Sequence, residues 1–155
     1  MTSSSIITLL KADHKHVASL LKDAIAARKA TKRADLFAEI KNELVLHTRF
    51  EETAIYPVLE ARKSSRGDAL EAEAEHAQIK HLLSEIAATD PDDDRWKARV
   101  TVLAEDIRHH VGEEESAGGI FAELRKALSV EELKELGQRY AEEKGARLTE
   151  VVQAN

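Results

Sequence analysis

The feature that most constrains this chain is a pattern of histidine and glutamate that occurs twice. Each copy has one solitary histidine followed by a His-x-x-x-Glu pair, and the six residues are His14, His47, Glu51, His76, His110 and Glu114. Corresponding residues of the two copies lie 62, 63 and 63 positions apart. Apolar positions follow the same offset, since Val17 corresponds to Ile79 and Leu44 to Ile107. The repeat predicts two similar helical hairpins related by a pseudo-twofold axis.

The composition and the spacing of apolar residues predict an all-α protein. Aromatic residues make up 4% of the 155 residues, with only 6 Gly and 2 Pro, which favours helices over sheets. Apolar residues with helical spacing predict four long helices, over about residues 5–28, 34–62, 69–89 and 95–115. Pro57 predicts a kink in the second helix, beyond the turn that holds its His and Glu pair.

The helices and breaks predict an up-down-up-down four-helix bundle with an additional C-terminal helix. We expect the bundle to occupy residues 1–128, including a short helix after the break at Gly118 and Gly119. A capping box of Ser129 and Glu132 predicts a last helix that ends near residue 143. Residues 129–155 would then form a helix and tail that pack on the bundle or extend from it.

Charge and hydropathy limit the environment and the partners that the sequence predicts. No stretch approaches the roughly 20 apolar residues of a membrane span, and the N-terminus lacks a basic start, so the sequence predicts a cytoplasmic protein. A net charge of −6 argues against binding nucleic acid or an anionic membrane. With no cysteine, any metal must be held by imidazole and carboxylate groups.

The positions of the six residues on their helices predict a metal site with two ions. Residues four positions apart differ by about 40° around an α-helix, so each His and Glu pair points in one direction. His14 and His76 lie on apolar stripes of the other two helices and would complete the site across the core. Burying four imidazoles and two carboxylates without a cation would cost several kcal/mol for each unmet group, on the order of measured desolvation penalties. Such ligands suit iron, manganese or zinc, and two facing carboxylates can bridge two ions.

The remaining histidines serve as internal controls for this interpretation. His16, His81 and His109 are turned away from the predicted ligands on their helices, so we expect them on the surface. Glu43 and Asp106 lie one turn before the paired histidines and are candidates to accept hydrogen bonds from the imidazoles, although solvated acids are the simpler interpretation.

The segments around the six residues resemble the hemerythrin-like family, also called the HHE cation-binding proteins. The resemblance covers about residues 5–127 and is carried by DHKHVASLL, EHAQIKHLL, HTRFEETAIYP and HHVGEEESAGGIF. It implies a centre of two non-haem iron ions inside a four-helix bundle, with an oxo or hydroxo bridge and with Glu51 and Glu114 as bridging ligands.

Two departures from the family pattern bear on function. Oxygen-carrying hemerythrins resemble this chain but have a further histidine where Lys80 stands, which implies an iron with more room for a small molecule. His110 to Phe121 spans 11 positions and His47 to Tyr56 spans 9, so Glu113 and Glu115 stay open as alternatives to Glu114.

The leading functional hypothesis is a non-haem di-iron protein that binds or turns over a small oxidant. The open coordination favours hydrogen peroxide over reversible oxygen carriage, and implies a catalase-like or oxidative-stress role. The alternatives are a module that senses or stores oxygen, nitric oxide or iron without catalysis, and a structural zinc bundle. The sequence does not identify a protein partner.

Overall fold

The computed structural model describes residues 3–153, and these form α-helices and one π-helical turn with no β-strand among them. The helices are α1 Ile6–Ala26, α2 Ala30–Phe50, α3 Tyr56–Glu60, α4 Arg66–Ala87, α5 Asp94–Glu115, α6 Ile120–Ala127 and α7 Val130–Gln153. The predicted all-α class is confirmed. Residues 1–2 and 154–155, which the predicted segments include, lie outside the described residues.

The four long helices pack as two hairpins. Helix α1 packs against α2, α4 packs against α5, and the hairpins meet through contacts of α1 with α5 and of α3 with α4. Two apolar clusters fill opposite ends of this bundle. One includes Trp96 and Phe37, and the other includes Ile6, Phe50 and Phe121. The six predicted site residues lie on the helices between these clusters, where they are buried.

Side-chain hydrogen bonds cap the starts of α1, α5 and α7. The side chains of Ser5 and Asp93 each accept the backbone N–H two residues further on, at 3.3 and 2.8 Å. Ser129 and Glu132 form the predicted reciprocal box, with bonds of 2.7 and 3.1 Å. These side chains satisfy amide groups that have no partner within the helix.

Helix α2 continues into α3 through a π-helical turn over Glu51–Ile55. The backbone N–H of Tyr56 donates to the carbonyl of Glu51, five residues earlier, and Pro57 follows near the start of α3. The backbone N–H of Glu51 donates to the carbonyl of His47, so the turn that holds the pair is α-helical and the irregularity begins after it. The π-helical turn before Pro57 is a feature that the sequence did not predict. The extra residue in the turn changes the direction in which the following side chains point, and such turns occur frequently at functional sites.

Helix α7 is longer than predicted and packs on α1. It runs to Gln153 rather than to about residue 143, because a single glycine such as Gly145 costs a helix only about 1 kcal/mol. It contacts α1, and Leu133 and Tyr140 join the apolar cluster of Ile6. The division between bundle and C-terminal segment at residue 128 stays a prediction. None of the described helices is both long and apolar enough to span a membrane.

Candidate metal centre

The structure brings all six predicted residues into one buried cluster. Each of them is at most 8% exposed. Their potential ligand atoms form two groups of four in which all atoms lie within 4.8 Å of one another. The groups are His14, His47, Glu51 and Glu114, and His76, His110, Glu51 and Glu114. The cluster therefore has two positions for a cation, and both carboxylates belong to both positions.

The histidines meet in two pairs through their inward-facing ring nitrogens. The Nε2 atoms of His14 and His47 are 3.3 Å apart, and those of His76 and His110 are 3.0 Å apart. His16, His81 and His109 are exposed on the surface, as expected.

Each central carboxylate faces both histidine pairs. Glu51 places Oε1 at 2.8 Å from Nε2 of His47 and Oε2 at 3.1 Å from Nε2 of His76. Glu114 places Oε2 at 3.3 Å from Nε2 of His14 and Oε1 at 2.6 Å from Nε2 of His110. One oxygen for each position is the arrangement that a carboxylate bridging two ions requires.

The outward-facing nitrogens of the four imidazoles also face carboxylates. The Nδ1 contacts are His14 with Glu115 at 3.4 Å, His47 with Asp13 at 3.0 Å, His76 with Glu52 at 2.9 Å and His110 with Glu75 at 2.9 Å. An ionised carboxylate only accepts hydrogen bonds, so each Nδ1–H donates and each Nε2 of a neutral ring presents a lone pair to the centre. These acids fix the orientation of the rings.

Sequence reasoning did not identify this role for the four acids and suggested Glu43 and Asp106 for it, although it named Glu115 as an alternative metal ligand. The signal was present in the repeat, because each acid is adjacent in sequence to a site residue. Asp13 and Glu75 precede the solitary histidines, and Glu52 and Glu115 follow the paired glutamates, with offsets of 62 and 63.

The donor set fits a pair of cations. When the four rings are neutral and carry their hydrogen on Nδ1, four imidazole lone pairs and two carboxylates converge. Oε1 of Glu51 and Oε2 of Glu114 are then buried with no hydrogen-bond donor among the described residues. Lone pairs this close repel unless positive charge lies between them, and buried acceptors without partners are costly. Cations at the two positions would remove both costs.

Without a cation, protons take its place on two of the imidazoles. Burial alone would lower the pKa of His47, but the charge of Glu51 and hydrogen bonds with Asp13 and Glu51 raise this pKa to about 10. Burial also opposes the charged form of His110, and Glu114 and Glu51 overcome it and raise the pKa of His110 to about 11. Both rings therefore carry an additional proton at neutral pH when no metal is bound.

Metal binding should therefore release protons. Coordinating imidazoles must be neutral, so filling both positions at pH 7.5 should release about two protons per chain. Because the pKa values of His47 and His110 lie above this pH, apparent metal affinity should rise with pH toward about 10 and fall in acid. Anaerobic calorimetric titration with Fe²⁺ in buffers of different ionisation enthalpy measures the protons released. Binding without proton release would contradict the conclusion that His47 and His110 each carry an additional proton before metal binds.

Tyr56 is a further residue of the centre that sequence reasoning did not identify. Its hydroxyl donates to Glu51 at 2.9 Å or to Glu114 at 3.1 Å, and lies 3.1 Å from Nε2 of His76. Burial, followed by the charges of both glutamates, raises the pKa of this phenol far above its usual value, so the hydroxyl stays protonated. Phe121, the residue compared with Tyr56 in the second copy, stacks on His14 with ring centroids 5.8 Å apart. The two halves of the centre are therefore chemically different.

The alternatives to Glu114 occupy other places. Helix α5 is regular as far as Glu115, so the helix ends only after His110 and Glu114. The side chain of Glu114 is therefore buried at the centre. Glu113 contacts His109 on the surface at 3.1 Å. Lys80 is half exposed and donates to Glu52 at 2.7 Å, so it supports the acid that faces His76.

An apolar cavity adjoins the histidines. It has a volume of about 20 Å³, enough for one water-sized molecule, and its apolar lining comprises Val17, Leu44, Ile79, Ile107 and Val111. A surface groove of about 420 Å³ between α1 and α5 shares His14, Ile107 and Val111 with this lining. The groove and the cavity therefore adjoin each other at these three side chains.

Comparison with known proteins gives one family match and two similar proteins. Residues 5–117 match the model of the hemerythrin HHE cation binding domain. A protein of Nostoc sp. named DNA nickase is 31% identical over 128 residues, which are 83% of this chain but 36% of that protein. The crystal structure of a hemerythrin HHE cation binding domain-containing protein from Mycobacterium kansasii superposes with a TM-score of 0.80 and 24% identity, covering 96% of this chain and 92% of that chain. The structural likeness shows a shared fold.

Proposed function

Because this chain belongs to the hemerythrin HHE cation-binding family, we propose that it is a non-haem di-iron protein that binds and turns over a small oxidant, with hydrogen peroxide favoured. The observation that carries the proposal is the sharing of Glu51 and Glu114 by two pairs of imidazoles. In this assignment His14 and His47 would hold one iron, His76 and His110 would hold the other, and Glu51 and Glu114 would be shared by both.

The ligand set supports a reactive iron pair over a structural zinc ion. A structural zinc is a single ion in a closed shell of four ligands of its own, whereas carboxylates shared between two positions are typical of di-iron carboxylate proteins built in helical bundles. A bound iron pair supplies two-electron redox chemistry to a peroxide.

The overall reaction needs no external reductant. One hydrogen peroxide loses two electrons and two protons and leaves as O₂, and a second takes up these electrons and protons and leaves as two water molecules. The hydroxyl of Tyr56 stays protonated and donates to Glu51 or Glu114, so it would orient the carboxylates that the two irons share. The apolar lining near His14 excludes bulky reductants and admits molecules of the size of peroxide.

Other functions of such a centre would give different results in a test for peroxide turnover. A module that senses or stores oxygen, nitric oxide or iron would bind the same metals without evolving O₂ from peroxide. The nickase activity named for the Nostoc protein is not carried over, because this chain spans 36% of that protein. The net charge of −6 also disfavours binding to DNA.

Peroxide turnover is tested by oxygen evolution. Iron-loaded protein should evolve O₂ from added hydrogen peroxide, and His47→Ala should abolish this activity because it removes a ligand of one iron. His81→Ala is the matched control, since this histidine is 75% exposed, and it should retain the wild-type rate. A wild-type protein that holds two irons but evolves no O₂ would contradict the proposed peroxide turnover and favour the sensing or storage alternative.

A further inference from the structure

Helix α7 reaches the centre through one buried carboxylate. Tyr140 is fully buried, and its hydroxyl donates to Oδ2 of Asp13. Lys144, one turn further along α7, donates to Oδ1 of the same carboxylate and contacts Glu43 at 3.3 Å. Asp13 is therefore held by two donors from a helix that lies outside the four-helix bundle.

The same carboxylate contacts a histidine of the centre. Oδ2 of Asp13 accepts the Nδ1–H of His47 at 3.0 Å, and Nε2 of this ring faces Glu51. The contacts thus form a continuous chain from Tyr140 and Lys144 through Asp13 to His47. Close packing fixes the position of the helix, because a Cβ atom at Gly137 would lie 2.0 Å from the carbonyl oxygen of Ser4.

The corresponding acid in the second half has a different environment. Glu75, which holds His110 at 2.9 Å, has an 18% exposed side chain, and its other oxygen contacts the exposed His109 at 3.3 Å. A surface groove of about 310 Å³ is lined by Glu75, His110 and Glu114. The acid behind His110 therefore adjoins solvent, whereas α7 covers the acid behind His47. The acids behind the two other histidines, Glu115 and Glu52, have side chains that are 33% and 27% exposed.

From this asymmetry we propose that Tyr140 and Lys144 are positioning residues that make the His14 and His47 metal position the slower of the two to release its ion. The inference rests on the proposed two-iron centre and deepens it, because it assigns different exchange behaviour to the two positions. Partners of ligating imidazoles fix the ring orientation, and their removal commonly weakens metal binding about 10–100-fold. A buried carboxylate with two fixed donors holds its imidazole more firmly than a partly exposed one, so the two ions should leave at different rates.

The test is the release of iron from the full-length chain to a chromogenic Fe²⁺ chelator under anaerobic conditions. Wild-type protein loaded with two Fe²⁺ should release them in two phases of one iron each. Tyr140 and Lys144 act on His47 only through Asp13, so Tyr140→Phe and Lys144→Met should accelerate the slow phase by about 10-fold, the lower end of the effect of removing a direct partner, and leave the fast phase within about twofold. Lys144→Arg, which keeps the positive charge, should restore slow release.

Two control variants separate positioning from general loss of structure. Glu75→Gln should accelerate the fast phase, because this acid holds a histidine of the other position. Gly145→Ala lies on α7 where an added Cβ meets nothing within 4 Å, and both of its phases should match the wild type. A lowered melting temperature alone would not change one phase selectively.

The outcomes distinguish this inference from the function on which it rests. Fewer than two irons in the wild-type protein would refute the two-iron centre itself. Two irons released in a single phase, or equal acceleration of both phases by Tyr140→Phe, would overturn the proposed difference between the release rates of the two positions. The two-iron centre itself would stand. An unchanged slow phase in both Tyr140→Phe and Lys144→Met would overturn the positioning role.

Discussion

Glu51→Ala should leave the chain with at most one bound iron. Glu51 is 1% exposed, and its two oxygens face His47 and His76, so its removal takes one ligand from each metal position at once. The loss should exceed that of a single-histidine variant, because each histidine belongs to only one position. Iron content per chain after reconstitution and removal of excess metal measures this effect.

The same substitution should also remove stabilisation by metal. A ligand that binds only the folded state adds about 2.7 kcal/mol at a concentration 100 times its dissociation constant. Fe²⁺ should therefore raise the melting temperature of wild-type protein much more than that of Glu51→Ala. Glu39→Ala, an exposed glutamate on the same helix, is the matched control and should behave as wild type. An equal rise in Glu51→Ala and in wild type would contradict the bridging assignment.

Gly119→Ala should destabilise the protein through a steric clash at the end of α5. A Cβ at this position would lie 1.9 Å from the carbonyl oxygen of Glu113 and 2.9 Å from that of Glu114. Backbone atoms cannot yield as a flexible side chain can, so the segment before α6 must shift. Over-packing of this kind costs about 1–3 kcal/mol, and displacement behind Glu114 should also reduce iron content.

The neighbouring glycine provides a control for this substitution. A Cβ at Gly118 meets nothing within 4 Å, so Gly118→Ala should leave stability and iron content near wild-type values. Urea unfolding of metal-free and iron-loaded protein separates the loss of stability from the loss of metal. Equal midpoints for the two alanine variants would show that the segment accommodates the additional methyl group.

The sequence was sufficient to predict the fold class and the convergence of six side chains. Both follow from periodicity, because residues such as His47 and Glu51 share one helical face and the repeat places their counterparts similarly. Asp13 and Glu75 were missed although they follow the same repeat. Their positions next to His14 and His76 turn them away on the same helix, so their contacts with a neighbouring helix require tertiary structure.

Tyr56 and α7 were missed for different physical reasons. The π-helical turn after Phe50 adds a residue to one helical turn, so the regular periodicity used to assign faces fails before it reaches Tyr56. Tyr140 and Lys144 have no counterpart in the repeated segments. Their approach to Asp13 depends on how α7 docks on α1, which local sequence does not determine.

The most direct test of the two-iron centre is the iron content of the reconstituted wild-type protein together with its absorption spectrum. The proposed centre predicts two irons per chain and, after exposure to air, a near-ultraviolet band from an oxo-bridged iron pair. One zinc per chain, with no such band after iron loading, would contradict the assignment of His14, His47, Glu51, His76, His110 and Glu114 as the ligands of two iron ions.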